Sequence, residues 1–362
     1  MNLSKNINTM GKETFEAKFK NYQADLIKEK KEIFEDAEEG GVFKYRGKLN
    51  TYDHILKEGK EDKNLFADIR EKVKTYFEDN NILFWGGKTV PSNTLSSQVS
   101  CLNHLFSICE NEKAVKDVMQ NFVGDRIEIE SMEKVPSKRE VEDCQYIAFE
   151  MVSDEDRLNE GTLTRGSSCT SIDALAIAKA TDGKRYLLVI EWKLTENDSG
   201  NKAPEEGTST NEKEIERDEK RTDKYTPLIN ENESIKNIDE KPKSNLNSSI
   251  FHLPFYQLMR QTLWASLNKK DFKADDYFHI HVVPSYNLMR TKKYACVKNA
   301  RGVEEAWKKH LTDCGKEKYI MVDPKQVVEA LENSEEKDTF SGLINYLKDR
   351  YYSFEKADSV KS

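Results

Sequence analysis

Two apolar runs, Ser171–Lys179 (SIDALAIAK) and Arg185–Leu194 (RYLLVIEWKL), are joined by Ala180-Thr181-Asp182-Gly183-Lys184, and this pair constrains the fold more than any other feature. Asp-Gly between apolar runs signals a β-hairpin, because the tight turn needs residues that tolerate positive φ. Alternate residues of a strand share a face. Leu187, Val189, Glu191 and Lys193 therefore point one way, and Leu188, Ile190 and Trp192 the other. Asp173 lies near the start of the first run, and antiparallel pairing sets that start beside the end of the second. The hairpin is thus expected to bring Asp173, Glu191 and Lys193 together.

The neighbouring segments suggest what covers this ribbon. Leu95 to Phe106 follows the turn and cap cluster Pro91-Ser92-Asn93-Thr94 and carries Val99, Leu102, Leu105 and Phe106 on one helical face. Tyr146 to Val152 and Tyr277 to Pro284 read as further strands, and Phe251 to Leu267 as a helix between the hairpin and the last strand. The order helix, strand, strand, strand, helix, strand predicts an α/β fold: a central mixed sheet of about four strands flanked by helices. Upstream, Phe15, Phe19, Tyr22 and Leu26, and then Leu65, Ile69, Val73 and Phe77, form helical stripes, with Gly40-Gly41 ending the first segment. Helices near 303–311, 324–333 and 338–351 close the chain. These signals divide it into an N-terminal helical region, 1–94, and a core, 95–362. Within the core, 196–247 turns rich in Glu, Lys, Asn, Asp, Ser and Thr, and reads as a charged, partly disordered exposed insertion.

Composition narrows the function classes. The 362 residues are 37% hydrophobic and 34% charged, enough for a core under a heavily charged surface. No stretch approaches the roughly 20 apolar residues that span a bilayer, and Met1 to Met10 lacks the apolar centre of a secretory signal. The six cysteines include no C-x-x-C pair, which argues against a disulfide framework or zinc knuckle. A cytoplasmic protein without membrane association is expected. A net charge of −8 argues against non-specific polyanion binding by overall charge, but not against a local basic groove beside an acidic metal site.

Two carboxylates and an ammonium converging at a sheet end need a reason, since charge in a partly buried strand is costly unless paired or metal-bound. Asp173 and Glu191 can hold Mg²⁺ (or Mn²⁺), which keeps waters and phosphate oxygens in its remaining positions. Such an ion stabilises charge at phosphorus and activates water. Lys193 can orient that water or offset charge. The spacing alone is weak: Glu61-x-Lys63, Asp218-x-Lys220, Asp239-x-Lys241 and Glu335-x-Lys337 share it, though none sits in a strong strand pattern behind an Asp. A cross-strand salt bridge at a sheet rim is the other reading of these residues.

Asp173 followed by Ile190-Glu191-Trp192-Lys193-Leu194-Thr195-Glu196 resembles the active-site hairpin of the PD-(D/E)XK nuclease superfamily, and in particular a restriction-endonuclease-like group within it. Leu95-Ser96-Ser97-Gln98 resembles the S-S-Q opening of that group's first core helix, and Phe149-Glu150 the F-E of its first strand. Pro254-Phe255-Tyr256-Gln257-Leu258-Met259-Arg260 is similar to its Y-Q-L-x-R helix, and Asn345 to Tyr351 to its C-terminal helix. The likeness covers about 95 to 351. It departs from the motif at Ile172, where proline is the namesake residue, and at bulky Trp192. The resemblance implies a restriction-endonuclease-like core with Asp173 and Glu191 as metal ligands and Lys193 as the catalytic lysine. Glu150 would be an accessory acid and metal ligand, Glu196 a further acid, and Gln98 and Gln257 groups near ligand or substrate.

Other readings stand beside these. Glu150 can cap a strand at the surface, and Gln257 and Gln261, one turn apart, can bond each other. His279-x-His281 lacks a third ligand at useful spacing and reads as a half-exposed sheet face. Ser97 has no Ser-His-Asp partner set and suits a helix start. Three functions fit: a metal-dependent nuclease acting on DNA in restriction, defence or repair; an inactive nuclease-like module that only binds nucleic acid or a partner protein; and an accessory subunit docking through 196–247. A homodimer or a partner protein is compatible with each.

Overall fold

The Asp-Gly hairpin forms at the centre of the molecule. In a computed structural model, which describes residues 14–29, 31–45, 47–85, 87–136, 145–163, 169–196, 212–239 and 248–354, β5 (Ile172–Ala180) and β6 (Arg185–Trp192) pair antiparallel from Ala174↔Ile190 to Lys179↔Arg185. Gly183 closes the turn at φ +83°, a conformation glycine adopts without strain.

Before the hairpin come α1 (Phe15–Glu29), α2 (Lys31–Phe34), a small hairpin of β1 (Gly41–Tyr45) and β2 (Lys48–Tyr52), α3 (Arg70–Asp79), α4 (Ser97–Leu105), α5 (Glu112–Val123), β3 (Ile129–Glu133) and β4 (Ile147–Met151). After it come α6 (Glu212–Asn230), α7 (Phe255–Asn268), β7 (Asp276–Val282), α8 (Gly302–Lys308), α9 (Asp313–Lys318), β8 (Tyr319–Val322), α10 (Lys325–Asn333) and α11 (Ser341–Leu347). The fold is the expected mixed α/β class. Among the described residues the main sheet has six strands, because β3 and β8 join the four read from sequence. β4 pairs with the first part of β5 (Met151↔Ile172 to Ile147↔Ala176), and β3 with its last part (Glu133↔Ile177 to Ile129↔Ala180). On the other side, β6, β7 and β8 run parallel, joined by helical crossovers as parallel neighbours require.

Strand alternation sorts two apolar layers. Ala174, Ala176, Leu188, Ile190, Trp192 and Ile280 pack with Phe19 of α1, Val73 of α3, Val99 of α4 and Val118 of α5. Leu175, Ile177, Leu187, Val189 and Tyr277 pack with Tyr225 of α6, Leu258 of α7 and Trp307 of α8. The N-terminal stripes thus enter the same apolar layer as α4 and α5.

The described part of the charged insertion is folded: Tyr225, Ile229, Ile235 and Ile238 are buried under the sheet. Tyr225 and Ile229, one turn apart, hold the otherwise charged α6, and Ile235 and Ile238 anchor the segment that follows it. The expectation of disorder at 197–211 and 240–247 falls outside the described residues. No helix among the described residues is long and apolar enough to cross a membrane.

Candidate active site

Extending the β5–β6 register one step past Ala174↔Ile190 sets Asp173 opposite Glu191, and the β4–β5 register sets Glu150 opposite Asp173. The β6–β7 register sets His281 beside Glu191. Three acids and a histidine therefore form one row across four strands at one end of the sheet. Asp173, Glu191 and Lys193, read from the hairpin, are brought together. Glu150, read from the first strand, joins them.

Each member is held by named partners. Asp173 Oδ2 accepts from the Trp192 backbone N–H at 2.8 Å. Glu191, 1% exposed, accepts from Lys193 Nζ at 2.8 Å on one oxygen and from Gln261 Nε2 on the other. Lys193 Nζ also donates to Gln257 Oε1 at 2.6 Å. The two glutamines do not bond each other as one sequence reading allowed, because α7 lies across the ribbon and each meets a charged group. Glu150 accepts from Gln98 Nε2 and from Ser171 Oγ at 3.0 Å. It is buried, not a surface cap, and its backbone is left-handed at φ +53° inside a strand, a strained state that persists only where surroundings enforce it. Glu196 stands apart from the row: its carboxylate accepts from the Leu194 N–H at 2.8 Å, closing its own turn. Ser96, not Ser97, caps α4 by accepting from the Val99 N–H.

His279 and His281 are fully buried, contrary to the half-exposed reading, because β8 extends the sheet beyond β7 and α7 covers that face. Their hydrogen bonds fix a relay. Gln261 donates to Glu191, so its oxygen must accept, and His279 Nε2–H is the donor at 3.1 Å. His279 Nδ1 then accepts from the Thr262 hydroxyl at 3.0 Å. This chain locks the Glu191 carboxylate in place, as outer hydrogen bonds do for metal-binding carboxylates. His281 Nδ1 meets Tyr319 Oη at 2.8 Å, while its buried Nε2 has no hydrogen-bond partner among the described residues. Gln261, His279 and His281 were not assigned to the site from sequence. Only the i, i+4 spacing from Gln257 pointed to Gln261.

Electrostatics mark the row as unsatisfied. Loss of hydration on burial, then the Glu191 and Glu150 charges, push the Asp173 carboxyl well above the ordinary carboxylate range, against the Trp192 N–H and Lys193. Burial and the same three acids push the Cys101 thiol up, and burial with the nearby Lys193 charge pushes His281 down. Among the described residues no group of three or more His, Cys, Asp or Glu is set to hold a metal ion. The donor set nevertheless suits a hard cation. Asp173 and Glu191 offer oxygens only, their negative charge exceeds what Lys193 offsets, and Mg²⁺ uses one or two carboxylates with waters and phosphate. Behind Leu194, a cavity of ≈ 20 Å³ between His104, Tyr351 and Phe15 has room for a water, not a nucleotide.

Residues 16–352 match the family described as Restriction Endonuclease associating with ARP. The chain belongs to that family. No curated protein and no solved structure matches it. Membership in this restriction-endonuclease family agrees with the restriction-endonuclease-like resemblance carried by the hairpin, and the matched span takes in the acid row together with the N-terminal helices α1 and α3.

Proposed function

We propose that this family member is a divalent-metal-dependent nuclease that hydrolyses phosphodiester bonds, with DNA as substrate and restriction, defence or repair as its setting. The convergence of Asp173, Glu191 and Lys193 at one end of the β5–β6 ribbon carries this reading. Asp173 and Glu191 would hold Mg²⁺ or Mn²⁺, with Glu150 as accessory acid; when bound, the ion stabilises charge at phosphorus and lowers the pKa of its water. Lys193, held between Glu191 and Gln257, presents an ammonium to a phosphate oxygen or to the attacking water. Gln261 and His279 keep the Glu191 carboxylate from rotating away. The test is cleavage of plasmid DNA with Mg²⁺ or Mn²⁺ by the wild type and by Asp173→Ala, Glu191→Ala and Lys193→Ala. Loss in all three with folding retained supports the reading, and unchanged cutting refutes it.

One observation favours a second reading. Both Glu191 oxygens already have partners, and no three-residue metal cluster is present among the described residues. A module that binds nucleic acid without cutting it would tolerate this. It predicts retarded migration of a DNA probe that persists in Glu191→Ala, with no cleavage by the wild type. The family description adds association with ARP, so an accessory role beside that partner is a further form of the same reading. Its test is a stable complex lost in Glu219→Lys and Asp223→Lys, exposed positions of α6, since Tyr225 and Ile229 of that helix belong to the core.

A further inference from the structure

The turn after α3 presents a tryptophan beside the acid row. Phe84 and Gly87 form a bridge, closed by the Gly87 N–H to the Phe84 carbonyl at 3.1 Å, and Trp85 lies at its tip. The turn is anchored on both sides. Phe84 is buried and stacks on Phe77 with centroids 4.1 Å apart. The Trp85 N–H donates to Gln98 Oε1 at 2.9 Å, and the same Gln98 side chain donates to Glu150. Trp85 is therefore joined to the acid row through one buried glutamine. Its side chain is 65% exposed, with Leu83 exposed beside it, whereas Trp192, Trp264 and Trp307 are at most 1% exposed. Lys88, three residues on, is also exposed.

We propose that Trp85 is a stacking platform for a nucleobase of the strand whose phosphate lies at Asp173, Glu191 and Lys193. This rests on the nucleic-acid reading of the site. An exposed indole whose backbone is tied through Gln98 to the acid row offers a flat apolar surface that an unpaired base can cover, and such stacking is tolerant of sequence. Lys88 supplies a positive charge for a flanking phosphate. The anchored turn fixes the Trp85 backbone before the strand arrives, so less ordering is needed on binding.

The buried environment of the other three tryptophans makes the test specific, because acrylamide quenching of fluorescence reports Trp85. The full chain is titrated, with Ca²⁺ in place of Mg²⁺, with a single-stranded DNA of about 12 nucleotides, the RNA of the same sequence and the DNA duplex. The expected result is protection of Trp85 from acrylamide by either single strand. Affinity should fall roughly ten-fold in Trp85→Ala and largely recover in Trp85→Phe, with the unfolding midpoint unchanged in both. Equal binding by wild type and Trp85→Ala, with acrylamide access unaltered, overturns the stacking platform and leaves the nucleic-acid reading intact. Absence of binding by the wild type to all three probes overturns both. Protection that grows with protein concentration alone makes Trp85 a protein contact and overturns the platform.

Discussion

Glu160 and Glu191 are both buried acids tied to α7, yet their surroundings differ in kind. Glu160 accepts from Arg260 Nε at 2.8 Å and Nη2 at 2.7 Å, from Tyr225 Oη at 2.9 Å, and from the Thr170 hydroxyl at 2.7 Å and N–H. One carboxylate meets one guanidinium and three neutral donors, and it ties α6, α7 and the approach to β5 together. Among the described residues, Glu191 instead shares the Lys193 ammonium with Asp173, and the repulsion from Glu191 and Glu150 falls on Asp173. Compensated charge makes a clamp. Surplus charge of one sign in the same molecule makes a place for a cation, and the contrast can be broken experimentally from either side.

The largest effect is expected on the surplus side. Asp173→Ala, Glu191→Ala and Lys193→Ala should each lower metal-dependent cleavage by at least about a thousand-fold. Asp173→Asn should do so with no fall in melting temperature, since it removes a charge that its neighbours repel. A sharp drop in melting temperature for Asp173→Asn would show that the row is compensated after all, and would erase the distinction from Glu160.

On the clamp side the order reverses. Arg260→Ala leaves Glu160 buried without its cation and should cost about 3–5 kcal/mol in urea unfolding. Glu160→Gln, which keeps the shape and drops the charge, should cost less than Arg260→Ala. If Arg260→Ala folded as well as the wild type but failed to cleave, the clamp would belong to the chemistry.

A third effect tests buried groups that carry no charge at neutral pH. His104 donates from Nδ1 to the Ser100 carbonyl and is pushed down to about 3, chiefly by burial and further by Arg350, against the pull of that hydrogen bond. His310 is pushed down to about 3 by burial and then Lys236. The unfolded chain binds protons at these sites near the ordinary value of 6.5, and the folded chain does not. Stability should therefore fall as pH drops below about 6.5, by up to ~1.4 kcal/mol per pH unit for each histidine. Urea midpoints between pH 7 and 5 measure the slope, which should flatten in His310→Gln.

Much of this site was legible because it depends on local pattern. The Asp-Gly turn and strand alternation place Asp173 across from Glu191 without knowledge of anything else in the chain. Gln257 and Gln98 were reached through the family resemblance of their helices. What pattern did not reveal came from contacts between distant segments. His279 and His281 looked half-exposed because the short strand Tyr319–Val322 that extends the sheet beyond them follows a helix and carries only four residues. The Glu160–Arg260 clamp joins residues 100 apart along the chain, and no periodicity encodes it. The insertion looks unstructured by composition, since its helix is buried through Tyr225 and Ile229 and the segment after it through Ile235 and Ile238.

The smallest effect separates the two glutamines of α7, which sequence spacing treats as equivalent. Gln257 touches Lys193, and Gln261 touches Glu191 and is itself held by His279. Removing Gln261 frees the carboxylate to turn, so Gln261→Ala should raise the Mn²⁺ concentration needed for half-maximal cleavage by about ten-fold, with turnover at saturating metal largely kept. Removing Gln257 frees the ammonium, so Gln257→Ala should lower turnover at saturating metal by a similar factor and leave the metal requirement alone. His279→Phe, which cuts the relay behind Gln261, should follow Gln261→Ala in kind and be smaller in size. If both glutamine variants changed the same parameter, Glu191 and Lys193 would act as one paired unit. The excess of negative charge in the row would then be confined to Asp173 and Glu150.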